Sequence, residues 1–226
     1  MFKPTDLFDL TQTEHAALFD GCEHAWDALK KLKAYIEANC RPENRARVEG
    51  AARIGSMVFI GEGTVIEDGA MVKGPAIIGR HCEIRHGAYI RDHVIVGDGC
   101  VVGNSCELKH SMLFNNGQVP HFNYVGDSIL GHKAHLGAGV VLSNVKVVAG
   151  NVTVEVNGRP MDTGLRKFGA MLGDRTDIGC NSVLNPGSVI GRGSVVYPTT
   201  NWRGVLPPDS IAKNKAPVEV VTRRKS

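Results

Sequence analysis

The chain has 226 residues, 42% of them hydrophobic and 22% charged, which suits one domain with a buried core and excludes a disordered tail. Its 26 Lys and Arg against 23 Asp and Glu leave a formal charge of +3; spread over this length, that is weak evidence for nucleic acid, which demands a concentrated basic face. No apolar run approaches the roughly 18 residues that cross a bilayer, and Met1-Phe2-Lys3-Pro4-Thr5-Asp6 lacks a signal-peptide core, so a cytoplasmic chain with no membrane partner is expected.

Residues 1–45 read as a helical arm. Leu7, Phe8, Leu10, Ala17, Leu18, Phe19, Cys22, Ala25, Trp26, Leu29, Leu32, Tyr35 and Ile36 include many three- and four-residue steps. Thr13 with Glu14 offers a helix start and Arg41-Pro42 a stop. The arm is expected to cap the open end of the unit that follows, whose first strands would otherwise expose their edges.

From Ile54 the period changes to six. Ile54, Ile60, Ile66, Val72, Ile78, Ile84, Ile90, Val96, Val102, Leu108 and Phe114 recur without a miss, and the period returns at Leu130, Leu136 and Leu142 and again from Leu172 to Trp202. Small residues follow four positions after many anchors: Thr64, Ala70, Ala76, Cys82, Ala88, Cys100, Cys106. A helix repeats at three to four and a strand at two, so a period of six fits neither. It fits a coil of three short flat faces, one hexapeptide per face, with the large aliphatic inside and the small residue in a tight corner. Residues 46–206 are therefore expected to form an all-β solenoid, a parallel β-helix, whose left-handed sense is the known form of hexapeptide repeats.

Two stretches break the phase and are expected to leave the solenoid as loops, 115–124 and 144–171. The second contains the alternating run Val152-Thr153-Val154-Glu155-Val156 followed by Asn157-Gly158, a hairpin signal. A rigid scaffold that ejects loops carries its site on them. Residues 207–226 read as a tail leaving the helix.

The six cysteines contain no CxxC pair, and Cys82, Cys100 and Cys106 fall on the small corner position, where packing accounts for them. Among nine histidines, His81 with His86, or His132 with His135, could hold zinc as in the γ-class carbonic anhydrases, another β-helix family. Most sit at outward positions that suit a solvated imidazole, and no metal is expected. His121 stands apart, between Pro120 and Phe122-Asn123 in the first interruption.

From residue 89 onward, VPHFNYVGDSILG, HLGAGVVLSNVK and TGLRKFGAMLGDRTDIG resemble the acetyltransferase domain of the bifunctional sugar-1-phosphate nucleotidylyltransferase/acetyltransferases, the archaeal form in particular. The resemblance implies an acetyl-CoA-dependent N-acetyltransferase on an amino-sugar 1-phosphate, glucosamine 1-phosphate foremost, working as a homotrimer. It assigns His121 as general base, Arg91, Lys109, Tyr124, His135 and Asn144 to the sugar phosphate, and Ala138, Cys180 and Lys215 to the coenzyme. The Gly137-Ala138-Gly139 turn would offer a backbone N–H to the thioester oxygen. Arg91 and Lys109 are separated by three hexads, one full coil, so they should emerge stacked, with an anion expected between the like charges. His135 replaces the family's Asn, and the lysines that follow the Asn144 position in the archaeal form have no clear counterpart; only Lys146, Arg166 and Lys167 are near. The family's nucleotidylyltransferase domain has no equivalent in the short helical arm, so uridylyl transfer is not expected, which leaves room for a separately encoded nucleotidylyltransferase as partner. A zinc protein of the carbonic anhydrase kind and a non-catalytic sugar-phosphate-binding subunit are the alternatives.

Overall fold

The computed structural model describes residues 2–156, 158–214 and 222. From Glu43 to Ala212 the chain winds as a left-handed parallel β-helix of three faces. Among the described residues the first and second faces carry nine strands each and the third eight. Each coil hydrogen-bonds in parallel to the coils beside it, as in Val58↔Ala76 and Ala76↔Val94, one full turn apart each time. The inward column is the apolar anchor series: Ile60, Ile66, Val72, Ile78, Ile84, Ile90, Val96, Val102 and Leu108 have no exposed surface. The small residues Thr64, Ala70, Ala76, Cys82, Ala88, Cys100 and Cys106 are buried with them, because a triangular section leaves room for little more than a methyl or thiol at its corners.

Phe114 corrects the run of eleven anchors. Val96 pairs with Leu113, not Phe114, so this coil falls one residue short of three hexads and the column passes to Leu113. Phe114 is buried on the outside of the coil, among the arm residues. The same shortening removes the expected loop at 115–124. Asn116 takes the turn with φ 62°, Gln118–His121 forms the next strand of the second face, and Tyr124–Gly126 the next of the third. No residue there leaves the solenoid.

The excursion after Leu142 does leave it. Thr153–Val156 pairs antiparallel with Arg159–Asp162; Asn157 lies outside the described residues. The chain rejoins the first face at Ala170–Leu172, where Leu172 pairs with Leu130 as though the excursion were not there.

The arm does not cap an end. It holds two α-helices, α1 (Pro4–Leu7) and α2 (Asp27–Asn39), with two 3-10 turns between them. Thr13 does not start an α-helix: its hydroxyl accepts from the amide of His15 and leads into the 3-10 turn Ala16–Phe19. The arm lies along the outside of the first face, and the reason is in that face's strands. In Val94-Ile95-Val96 the outer residue is as apolar as the inner pair, and all three are buried. The register stacks such residues into an outer row, Ile77, Ile95, Met112, Ile129, Met171 and Val189. Trp26, Leu29, Leu32 and Ile36 of the arm and Val152, Val154 and Phe168 of the excursion form one core with that row. At about 1.5–3 kcal/mol for each large apolar side chain buried, this contact outweighs any gain from covering two polar strands at the end of the helix. Those first strands, Glu43–Asn44 and Arg47–Val48, are exposed. Among the described residues no helix is long and apolar enough to cross a membrane.

Candidate functional site

The third face sorts the site residues onto its two edges. Along the edge that follows the inward residues, Arg91 and Lys109 emerge in adjacent coils, since Leu108 pairs with Ile90. Each is already met by a carboxylate. Arg91 Nη1 donates to Glu107 Oε1 at 2.7 Å, and Lys109 Nζ lies 3.9 Å from Asp127 Oδ2. The stacking expected of the two cations is present, but the anions that relieve it come from the protein, so no external anion is needed to explain it.

One coil further the column becomes Gly126, paired with Lys109. A Cβ on Gly126 would fall 2.6 Å from Tyr124 Oη and 2.7 Å from Asn144 Nδ2. The glycine makes room for the phenol and the amide, which converge over it. Burial raises the Tyr124 hydroxyl above its ordinary pKa, with Glu107 and Asp127 adding to the effect. Asn144 is buried, and its Nδ2 donates to Asp127 Oδ2 in a short hydrogen bond. Asp127 is 4% exposed. Burial pushes its carboxyl up, but hydrogen bonds from His110 and Asn144, with the charges of His110 and Lys109, hold it below the usual carboxylate value.

The opposite edge, where the second face turns into the third, carries the other set. His121 ends the strand Gln118–His121 and is exposed. Its backbone is fixed at both poles: its amide donates to Asn123 Oδ1 at 3.1 Å, and its carbonyl accepts from Gly139 N at 3.0 Å. Asn123 is buried and also donates to Gly137 O at 2.7 Å. The carbonyl of Ala138 accepts from Asn181 N at 2.8 Å. His121, Ala138 and Cys180 thus share one corner on three successive coils, and Cys180 is exposed. Gly137 and Gly139 donate their amides to the carbonyls of Ile178 and His121; among the described residues the Ala138 N–H has no such acceptor.

His135 does not join these groups. It lies on the second face, where its Nδ1 meets Asp177 Oδ1 at 2.8 Å. Lys215 lies outside the described residues. Lys146 and Arg166 turn back on the excursion itself, to the carbonyls of Asn151 and Gly150. Of the histidines weighed as zinc ligands, His86 and His132 place Nδ1 against the carbonyls of Asp68 and Asn115. Among the described residues no three His, Cys, Asp or Glu side chains gather to hold a metal ion. Sequence reasoning passed over Glu107, His110, Gly126 and Asp127. The signal for all four is a column: Glu107 and Lys109 flank an inward Leu, and His110 stands one short coil before Asp127.

The family model of the GMPPB C-terminal domain matches residues 72–158. A bifunctional sugar-1-phosphate nucleotidylyltransferase/acetyltransferase of Sulfurisphaera tokodaii is 34% identical over 88 residues, which are 39% of this chain and 22% of that protein. A bifunctional protein GlmU of Methanococcus maripaludis is 36% identical over 173 residues, 76% of this chain and 42% of the relative. The chain therefore spans less than half the length of these curated relatives, and the resemblance to the archaeal sugar-1-phosphate nucleotidylyltransferase/acetyltransferases stands on named homologues. Among solved structures, the Arabidopsis UDP-N-acetylglucosamine acyltransferase aligns over 75% of this chain and 67% of its own at 15% identity, with a TM-score of 0.44.

Proposed function

We propose that this chain is an acetyl-CoA-dependent N-acetyltransferase acting on an amino-sugar 1-phosphate, glucosamine 1-phosphate foremost. The observation that carries the reading is the sorting on the third face. Arg91, Lys109, Tyr124 and Asn144 line one edge, while His121, Ala138 and Cys180 stack along the other. The relatives' printed names, which include sugar-1-phosphate and acetyltransferase, support it from outside.

In this reading the two cations take the sugar phosphate while staying paired with Glu107 and Asp127, and Tyr124 with Asn144 orients the ring. The His121 imidazole accepts a proton from the 2-amino group as that nitrogen attacks the thioester carbonyl. The C–N bond forms, the C–S bond breaks, and the departing coenzyme thiolate takes that proton from the His121 imidazolium. The Ala138 amide stabilises the oxyanion between these events, and Lys215 serves the coenzyme phosphates, as the resemblance assigns. Direct attack by the amine requires no thiol nucleophile, so Cys180 lines the acyl site without reacting. The enzyme works in the cytoplasm as a homotrimer with sites between protomers. A separately encoded nucleotidylyltransferase would consume the product.

Thiol release from acetyl-CoA, followed against a panel of amino-sugar phosphates, tests this directly. Turnover with glucosamine 1-phosphate that His121→Ala abolishes, the protein remaining folded, is the expected result. Binding of the sugar phosphate without turnover by the wild type would make the chain a binding subunit, and silence toward the whole panel would end the reading.

A further inference from the structure

We propose that His110 and Asp127 form a positioning pair for the acceptor, holding Lys109 and Asn144 in the orientation that receives a sugar phosphate; the proposal rests on the function just described. Asp127 is buried at the turn leaving the third face, where its φ of 46° is one that few residues other than glycine adopt. A carboxylate drawn out of water needs donors on both oxygens. His110 Nδ1 supplies one at 2.8 Å on Oδ1. Asn144 Nδ2 supplies the other on Oδ2, toward which Lys109 Nζ points from 3.9 Å.

This arrangement has two consequences for the groups that converge over Gly126. Because the NH2 of Asn144 is directed to Asp127 and to the Tyr124 hydroxyl, its carbonyl oxygen is left as the group offered to a ligand. Because His110 satisfies Oδ1, the carboxylate stays at arm's length from Lys109, and the ammonium keeps capacity for a phosphate. Without the histidine, Asp127 would close on Lys109 and compete with the substrate for that charge. The His110 ring is itself held from the far side. His93 meets it edge to face with centroids 6.3 Å apart, and His93 lies between Asp92, 3.2 Å from its Nδ1, and Glu37 of α2, 3.5 Å from its Nε2. None of these groups touches a reacting atom, so their effect belongs in acceptor binding.

The test compares His110→Phe, which keeps a ring against His93 and removes the donor, with His110→Asn, whose amide places a donor where Nδ1 stood. His110→Ala repeats the loss with less bulk. In the full chain, His110→Phe is expected to raise KM for glucosamine 1-phosphate about ten- to a hundredfold, the value of a hydrogen bond to a charged group. It should leave kcat and the KM for acetyl-CoA within about threefold, and His110→Asn should restore most of the loss. An unchanged acceptor KM in both donor-less variants overturns the proposal. So does a fall in kcat with no change in KM, or a defect that His110→Asn fails to repair. Should the wild type bind glucosamine 1-phosphate in a calorimeter without turning it over, the transferase reading fails while the dissociation constants of the same variants decide the pairing. Absence of binding overturns both.

Discussion

Phe114 stacks on Phe8 with ring centroids 5.0 Å apart and planes at 25°. The pair joins the arm to the solenoid at the point where the coil shortens by one residue and the aromatic ring moves from the expected inner column to the outside. Phe19 meets the same ring at 5.7 Å, so Phe114 is the hub by which a local change of register becomes a docking point for the arm.

Phe114→Ala should therefore destabilise the protein by about 3–5 kcal/mol, the usual cost of emptying a buried aromatic site. Phe114→Leu should cost less. Urea unfolding, followed by circular dichroism, measures both. A loss near zero for the alanine variant would show that the arm is not held by this contact.

Gly126→Ala addresses the convergence of Tyr124 and Asn144 over the glycine. Its Cβ would meet Tyr124 and the Asn144 amide; displacing Asn144 loosens its hold on buried Asp127, so stability should fall by about 1–3 kcal/mol. The acceptor KM should rise about tenfold or more while the KM for acetyl-CoA stays put, a split that initial-rate kinetics reads directly.

The cysteines should separate by reactivity. Cys180 is exposed, whereas burial pushes the Cys82 thiol up to about 11 and raises Cys100 and Cys106 as well. At pH 8 iodoacetamide should label Cys180 well before these three in the folded protein, as peptide mass spectrometry would show. Fast labelling at Cys100 would mean that the inner corner opens.

His15 should contribute a pH dependence to stability. Burial lowers its pKa from 6.5 against an opposing pull from Asp98, and its Nδ1 lies 3.2 Å from Tyr35 Oη. Because the folded-state value is the lower one, the unfolded chain binds the proton first. The stabilisation is complete above about pH 6.5 and is lost as pH falls from there through the folded value. His15→Gln should flatten the change in urea midpoint between pH 7 and pH 5. An unaltered slope would place the effect on other groups.

The inward column was legible in the chain because burial in a three-faced coil acts on every sixth residue and the pattern is local. The pairing of Arg91 with Lys109 followed from the same arithmetic, one coil being three full hexads there. His135 shows where the arithmetic stopped. Its partner Asp177 lies on the far side of the excursion in sequence, and no spacing rule announces such a neighbour. The outer row Ile77, Ile95, Met112 and Ile129 was present as an apolar residue before each inner one, a second apolar position whose consequence was the flanking arm.

By itself, the sequence determined the hexapeptide coil, the anchors that fill it apart from Phe114, and the residues eligible for a site. Only the tertiary structure decided that the coil loses a residue before Leu113, that the arm covers a flank and not an end, and that Glu107 and Asp127 already answer the two cations. The physical reason is one of range. Which side of a strand is buried depends on neighbours a few bonds away, whereas which side chain lies above another depends on the length of every coil between them, and a single residue lost shifts all that follow.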